Sequence, residues 1–126
     1  MRNFKPDATG PLEGLRILDM TRVVAGNELT VILADFGADV IKIETPGKGD
    51  DLRNWKTEGI STHWKVYSRN KRSLTLNLRN DKAKEIFVKL VESADAVVEN
   101  YRPGTMEKMG FGPDRLHEIN PKVVLV

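Results

Sequence analysis

Apolar residues follow two periods along this chain. "LRILDM", residues 15–20, and "ADVIKIE", residues 38–44, are short runs rich in large and β-branched side chains, and each reads as a buried strand. Between them, from Asn27 onward, Leu29, Ile32, Leu33 and Phe36 recur at i, i+3, i+4 and i+7. That spacing predicts a helix with one oily stripe turned to the core, which Gly37 ends as its C′ residue. "RSLTLNL", residues 72–78, alternates apolar and polar and predicts a third strand. Asn80 then stands as N-cap of the clearest helix, where Ala83, Ile86, Phe87, Leu90, Val91 and Ala94 hold the helical period across "DKAKEIFVKLVESA". "DAVVEN" predicts the fourth strand, two short helical pieces follow at 104–109 and 113–119, and "KVVLV" predicts the fifth strand. Residues 1–13, polar with two prolines, read as an arm. The long polar loop "TPGKGDDLRNWKTEGIST" follows the second strand, with a helical turn at "HWKVYS".

Strands alternating with helices predict an α/β fold: an open, mostly parallel, Rossmann-like sheet with helices on both faces. In such sheets ligands bind outside the C-terminal ends of the strands, so the segments just after each strand are the ones to read for chemistry. The sequence of 126 residues allows one domain at most. It stops inside the apolar run "PKVVLV", where natural domains rarely end, which suggests part of a longer chain.

Composition narrows the function classes. Lys and Arg number 20 against 18 Asp and Glu, so the basic excess of a dedicated nucleic-acid binder is missing. No cysteine is present, which removes disulfides, thiolate metal ligands and a thiol nucleophile, and fits a reducing, cytoplasmic setting. No stretch approaches the length of a membrane span, and the start lacks the apolar core of a signal peptide.

Local chemistry is more informative. "TRVVAGN", after the first strand, carries Ala25 and Gly26, small enough for close ligand approach, but it is neither a G-x-G-x-x-G turn nor a P-loop. A plain strand-to-helix turn explains it equally well. Between Gly59 and Asn80 there is no acid, while Lys65, Arg69, Lys71, Arg72 and Arg79 all fall there. They are either a solvated basic face or a polyphosphate site, with Arg79 just past the strand end. After the fourth strand, Asn100, Tyr101 and Arg102 offer an amide, a ring and a planar cation, and Lys108 lies one helical turn beyond the Pro103-Gly104 turn. A nucleotide would suit that set; so would a loop tied down by its own side chains. His63 and His117 stand alone, and Asp50-Asp51 reads as a solvated loop pair rather than a metal site.

Taken in order, "PLEGLRILDMTRVVAGN", "LADFGADVIKIETPGKGDDLR", "NKRSLTLNL", "ADAVVENYRPGTMEKMGFG" and "INPKVVLV" resemble the opening third of a class III CoA-transferase of the CaiB/BaiF family. The joint occurrence of "GADVIKIE", "NKRS" and "VENYRPG" carries the resemblance. It implies that this chain is the N-terminal part of the large, CoA-binding domain. It also implies that coenzyme A is held along Val24 and Ala25, along Leu76, Asn77, Leu78 and Arg79, and by Asn100, Tyr101, Arg102 and Lys108. Arg79, Arg102 and Lys108 would meet phosphates.

The same resemblance implies transfer of CoA from an acyl-CoA to a carboxylic acid through an aspartyl acyl-enzyme, without a metal, in an interlocked homodimer. The nucleophilic aspartate of the family would lie beyond Val126, so these residues alone are expected to be inactive. Two positions depart from the family pattern: Asn27, where many members have Pro, and Thr45, where many have a basic residue. Alternatives are an α-methylacyl-CoA racemase of the same superfamily and a noncatalytic module that binds CoA or another nucleotide.

Overall fold

The computed structural model describes residues 9–126, so the beginning of the predicted arm lies outside the described residues. Five strands form one sheet: β1 Arg16–Asp19, β2 Asp39–Glu44, β3 Lys71–Thr75, β4 Ala96–Val98 and β5 Val124–Leu125. All pairings are parallel, in the order β3-β2-β1-β4-β5. The chain builds outward from β1 to β3, then returns to the far side of β1 for β4 and β5. Strand order therefore reverses between β1 and β4, which opens a crevice at their C-terminal ends.

The connections are α1 Ala25–Asp35, α2 Thr62–Tyr67, α3 Asp81–Glu92, α4 Thr105–Lys108 and α5 Pro113–Ile119, with a 3-10 turn at Asp51–Asn54. Local chemistry sets their limits as the pattern predicts. Asn80 caps α3 by accepting from the Lys82 N–H at 3.0 Å, and Gly37 follows α1 with φ of 101°, a left-handed conformation that favours glycine. The helical turn predicted at "HWKVYS" is α2. β3 is shorter than predicted. Its last partner on β2 is Glu44, opposite Thr75; the Leu76 N–H still donates to the Glu44 carbonyl at 3.0 Å, and the chain then leaves the sheet in a turn where the Asn80 N–H donates to the Asn77 carbonyl at 2.8 Å.

The two faces of the sheet differ. On one, Leu18, Ile41, Ile43 and Val97 pack against Phe87 and Val91 of α3, Leu116 of α5 and Met106 of α4. On the other, Ile17, Val40 and Val98 meet Ala34 of α1, but β1 and β2 also turn Asp19, Lys42 and Glu44 to this side, all buried. This corrects the predicted stripe of α1. Leu29, Ile32 and Phe36 are 38%, 46% and 52% exposed. The buried residues of α1 are Gly26, Asn27, Thr30, Val31 and Ala34. Positions 27, 30, 31 and 34 share the same i, i+3, i+4, i+7 spacing, and they win because the sheet beneath them carries buried charges to which Asn27 and Thr30 add hydrogen bonds that the apolar stripe could not make.

Candidate functional site

A cleft of about 670 Å³ lies at the C-terminal edge of the sheet. Met20 and Arg22 line it after β1, Ile43, Thr45 and Pro46 at the end of β2, Leu76 to Arg79 after β3, and Tyr101 after β4. Lys84 of α3, Thr105 and Lys108 of α4, and Met109 just after it close it. Among the described residues its lining holds four cations, Arg22, Arg79, Lys84 and Lys108, and no carboxylate. It is thus a concave, positive site with apolar walls, suited to an extended anionic ligand.

Of the residues predicted for the site, Leu76, Asn77, Leu78, Arg79, Tyr101 and Lys108 come together here. Arg79 is exposed, and the Asn77 side chain shapes its turn by accepting from the Arg79 N–H at 3.2 Å. Four predicted residues stand off the wall. Val24 and Ala25 begin α1, Arg102 is exposed beside the α4 turn, and Asn100 spends its amide on the backbone of Arg22. Arg22, Thr45, Lys84 and Thr105 are lining residues that sequence reasoning did not select. Arg22 lies inside the segment "TRVVAGN", where the small residues had drawn attention instead.

The basic zone before Asn80 proves to be mostly internal bookkeeping of charge rather than one phosphate-binding face. Arg69 pairs with Asp35, Arg72 with Asp39, and the Lys71 side chain is buried against Asp19 at 3.0 Å. Arg79 alone of the five reaches the cleft. Asp50, expected as a solvated loop residue, is fully buried, while its neighbour Asp51 pairs with Lys48 near the surface.

Asp50 belongs to a polar network beneath the β1–α1 turn. Asp19 accepts from Lys42 Nζ at 3.2 Å, Lys71 Nζ at 3.0 Å, Thr30 Oγ1 at 2.6 Å and Thr21 Oγ1 at 2.6 Å. Lys42 also reaches Asp50 at 3.1 Å and the carbonyl of Thr21 at 2.6 Å. Asp50 in turn accepts from the Asn27 amide at 2.9 Å and the Leu52 N–H at 2.9 Å. Two lysines and two aspartates balance. Burial pushes the Asp19 carboxyl up, but Lys42, Lys71 and the two threonine hydroxyls outweigh it and hold the carboxyl below its ordinary value. For Asp50 burial is likewise outweighed, here by the Leu52 N–H, the Asn27 amide and Lys42. Burial pulls the Lys71 ammonium below its ordinary value in spite of Asp19.

His63 packs edge-on against Trp55 and His117 Nε2 meets the Val123 carbonyl, so neither faces the cleft. Among the described residues no three His, Asp or Glu side chains gather as a metal site would require. None of their helices is long and apolar enough to cross a membrane.

The fold is an all-parallel α/β sheet with a cationic cleft at its switch point, the place where open α/β sheets take up ligands. The sequence profile described as CoA-transferase family III matches residues 12–126, and the chain belongs to that family. It is 44% identical to an acyl-CoA transferase of Fusarium pseudograminearum, over 91% of this chain and 28% of that protein. It is 42% identical to the succinyl-CoA--D-citramalate CoA-transferase of Chloroflexus aurantiacus, over 92% of this chain and 30% of the relative. A CaiB/BaiF family protein from Brucella suis has the same fold with a TM-score of 0.86 at 36% identity, covering 94% of this chain and 33% of that one. The chain therefore spans 28–30% of the length of these two curated relatives.

Proposed function

We propose that the cleft holds the nucleotide end of coenzyme A, and that the chain is the N-terminal, CoA-binding part of an enzyme that moves CoA from an acyl-CoA to a carboxylic acid. The observation that carries this reading is the cleft wall: four cations, no carboxylate, and the Tyr101 ring at the β1/β4 switch point. CoA carries three phosphate groups and a purine, which ask for cations and a flat apolar surface. Arg79 and Lys108 approach from the β3 and β4 sides and are the phosphate partners; Leu76, Leu78 and Met109 supply apolar wall.

The aspartyl acyl-enzyme needs a carboxylate free to attack a thioester. Among the described residues none lines this cleft. Asp19 and Asp50 are buried in ion pairs, and Asp35 and Asp39 are held by arginines. In this reading the nucleophile, like the choice of donor and acceptor acid, belongs to further sequence, as the family resemblance implies. The exposed stripe Leu29, Ile32 and Phe36 and the outer strands β3 and β5 favour assembly with further polypeptide, in keeping with an interlocked homodimer.

Calorimetric titration of the purified chain with CoA tests the reading. Saturable binding that weakens roughly tenfold in Arg79→Ala or Lys108→Ala is expected, as for loss of one charge-assisted contact. The same preparation should show no turnover with any acyl-CoA and carboxylate pair. Unaltered binding in both variants would remove the cleft as the site, and measurable turnover would refute the assignment of the nucleophile to further sequence.

A further inference from the structure

Arg22 stands apart from the other partly buried cations of this chain. Arg16 pairs with Asp39, Arg53 with Glu44, Lys42 with Asp19 and Asp50, and Lys71 with Asp19. Among the described residues Arg22 has no carboxylate partner, although it is half-buried and lines the cleft. Its Nη1 is spent on the strand ends, donating to the carbonyls of Met20 at 3.0 Å, Thr21 at 2.7 Å and Ile43 at 3.2 Å. Its guanidinium carbon lies 5.5 Å from the centroid of the Tyr101 ring. Nε and Nη2 have no acceptor among the described residues, so three N–H donors of a fixed, planar cation remain for something else.

The backbone around Arg22 is held just as firmly. Asn100 brackets it: the Arg22 N–H donates to Asn100 Oδ1 at 2.8 Å and the Arg22 carbonyl accepts from Asn100 Nδ2 at 2.8 Å. The next residue, Val23, adopts φ of 62°, a conformation that β-branched residues avoid. Asp50 accepts from its N–H at 3.3 Å and the Asn27 amide donates to its carbonyl. Gly26 lets the turn close, since a Cβ there would stand 2.2 Å from Thr21 Cβ. A turn fixed from β2, β4 and the loop after β2 can hold strain of the kind that is stored where a side chain must be aimed.

We propose that Arg22 contacts the ligand of the cleft, donating from Nε and Nη2 to an anionic phosphate oxygen of the bound nucleotide, and that Asn100 is the positioning residue that aims it. This rests on the CoA reading of the cleft. It also gives Asn100, adjacent to Tyr101 in "VENYRPG", a role without direct contact between its amide and the nucleotide.

The test compares CoA, titrated by calorimetry, with pantetheine, which lacks phosphate and is titrated by NMR, on the wild-type chain and on Arg22→Ala, Arg22→Lys and Asn100→Ala. Arg22→Ala should lower affinity for CoA roughly 10–100-fold and leave pantetheine within about twofold. Arg22→Lys should rescue little, because a point charge cannot span three carbonyls and still present a planar edge. Asn100→Ala should lower CoA affinity several-fold with the same selectivity, and since it leaves the carbonyl anchors of Arg22 intact, it carries the test if Arg22→Ala does not fold. CoA affinity unchanged in the variants, or CoA and pantetheine weakened alike, would overturn the proposal while leaving the CoA reading in place. A wild-type chain that does not bind CoA would end both.

Discussion

The two faces of the sheet use opposite solutions to burial. Beneath α3 and α5, Leu18, Ile41, Ile43, Phe87 and Val97 interlock, with Phe87 and Phe111 edge-to-face at 4.6 Å between ring centroids. Beneath α1, Asp19, Lys42, Lys71 and Asp50 are equally buried but joined by charge and hydrogen bonds, and no buried side-chain nitrogen or oxygen among the described residues lacks a partner. The apolar face gains from area and tolerates small changes of shape. The polar face gains from completeness, so one missing charge exposes every remaining member. The polar face is also the one that carries the β1–α1 turn and Arg22, so the geometry of the cleft depends on directional bonds rather than on close packing alone.

The sharpest contrast is between single conservative substitutions on the two faces. Asp19→Asn deletes one charge from beneath two buried ammonium groups and should cost about 3–5 kcal/mol, whereas Phe87→Leu should cost about 1–2 kcal/mol. Urea denaturation of both variants measures the difference, and equal costs would mean that the network is no more brittle than the core.

Acid should act on the same face. The folded-state carboxyls of Asp19 and Asp50 lie below their ordinary value. Their contribution is therefore present above the unfolded aspartate value, about 3.9, and is lost as pH falls through the lower folded values. Thermal melts between pH 6 and pH 2 should show this loss, and Asp50→Asn should be less stable at neutral pH but flatter below about pH 4. A parallel decline in both chains would place the acid sensitivity elsewhere.

The smallest effect is expected on the outer side of α1. Ile32→Gln, at a position 46% exposed, should alter the stability of the isolated chain by about 0.5 kcal/mol or less. A loss of 2 kcal/mol or more would show that the stripe is covered in solution even without further polypeptide.

Much of the architecture was legible because it depends on local signals. The strand and helix order, the Asn80 cap, the Gly37 stop and the helical turn at 62–67 all follow from side chains acting on their own backbone. Part of the candidate site was legible for a related reason: Leu76 to Arg79 and Tyr101 lie just after strands, Lys108 lies on the short helix that follows β4, and parallel strands deliver those segments to one edge. Arg22 was not selected because its value comes from what does not meet it. Its unpaired donors can be recognised only once the acids that neutralise the other cations are located. Asn27 and Thr45, both departures from the family pattern, also part company in space: Asn27 is buried in the network with Asp50, whereas Thr45 stands on the cleft wall.

Sequence alone determined the α/β class, the order of the elements and the family, since periodicity, caps and motif order are properties of neighbouring residues. Tertiary structure decided which side of α1 is inside. Two stripes of that helix, Leu29-Ile32-Leu33-Phe36 and Asn27-Thr30-Val31-Ala34, satisfy the same 3.6-residue period. What chose between them was the charge brought to the opposing sheet face by Asp19, Lys42 and Lys71, which lie far apart in sequence and meet only when β1, β2 and β3 pair in register.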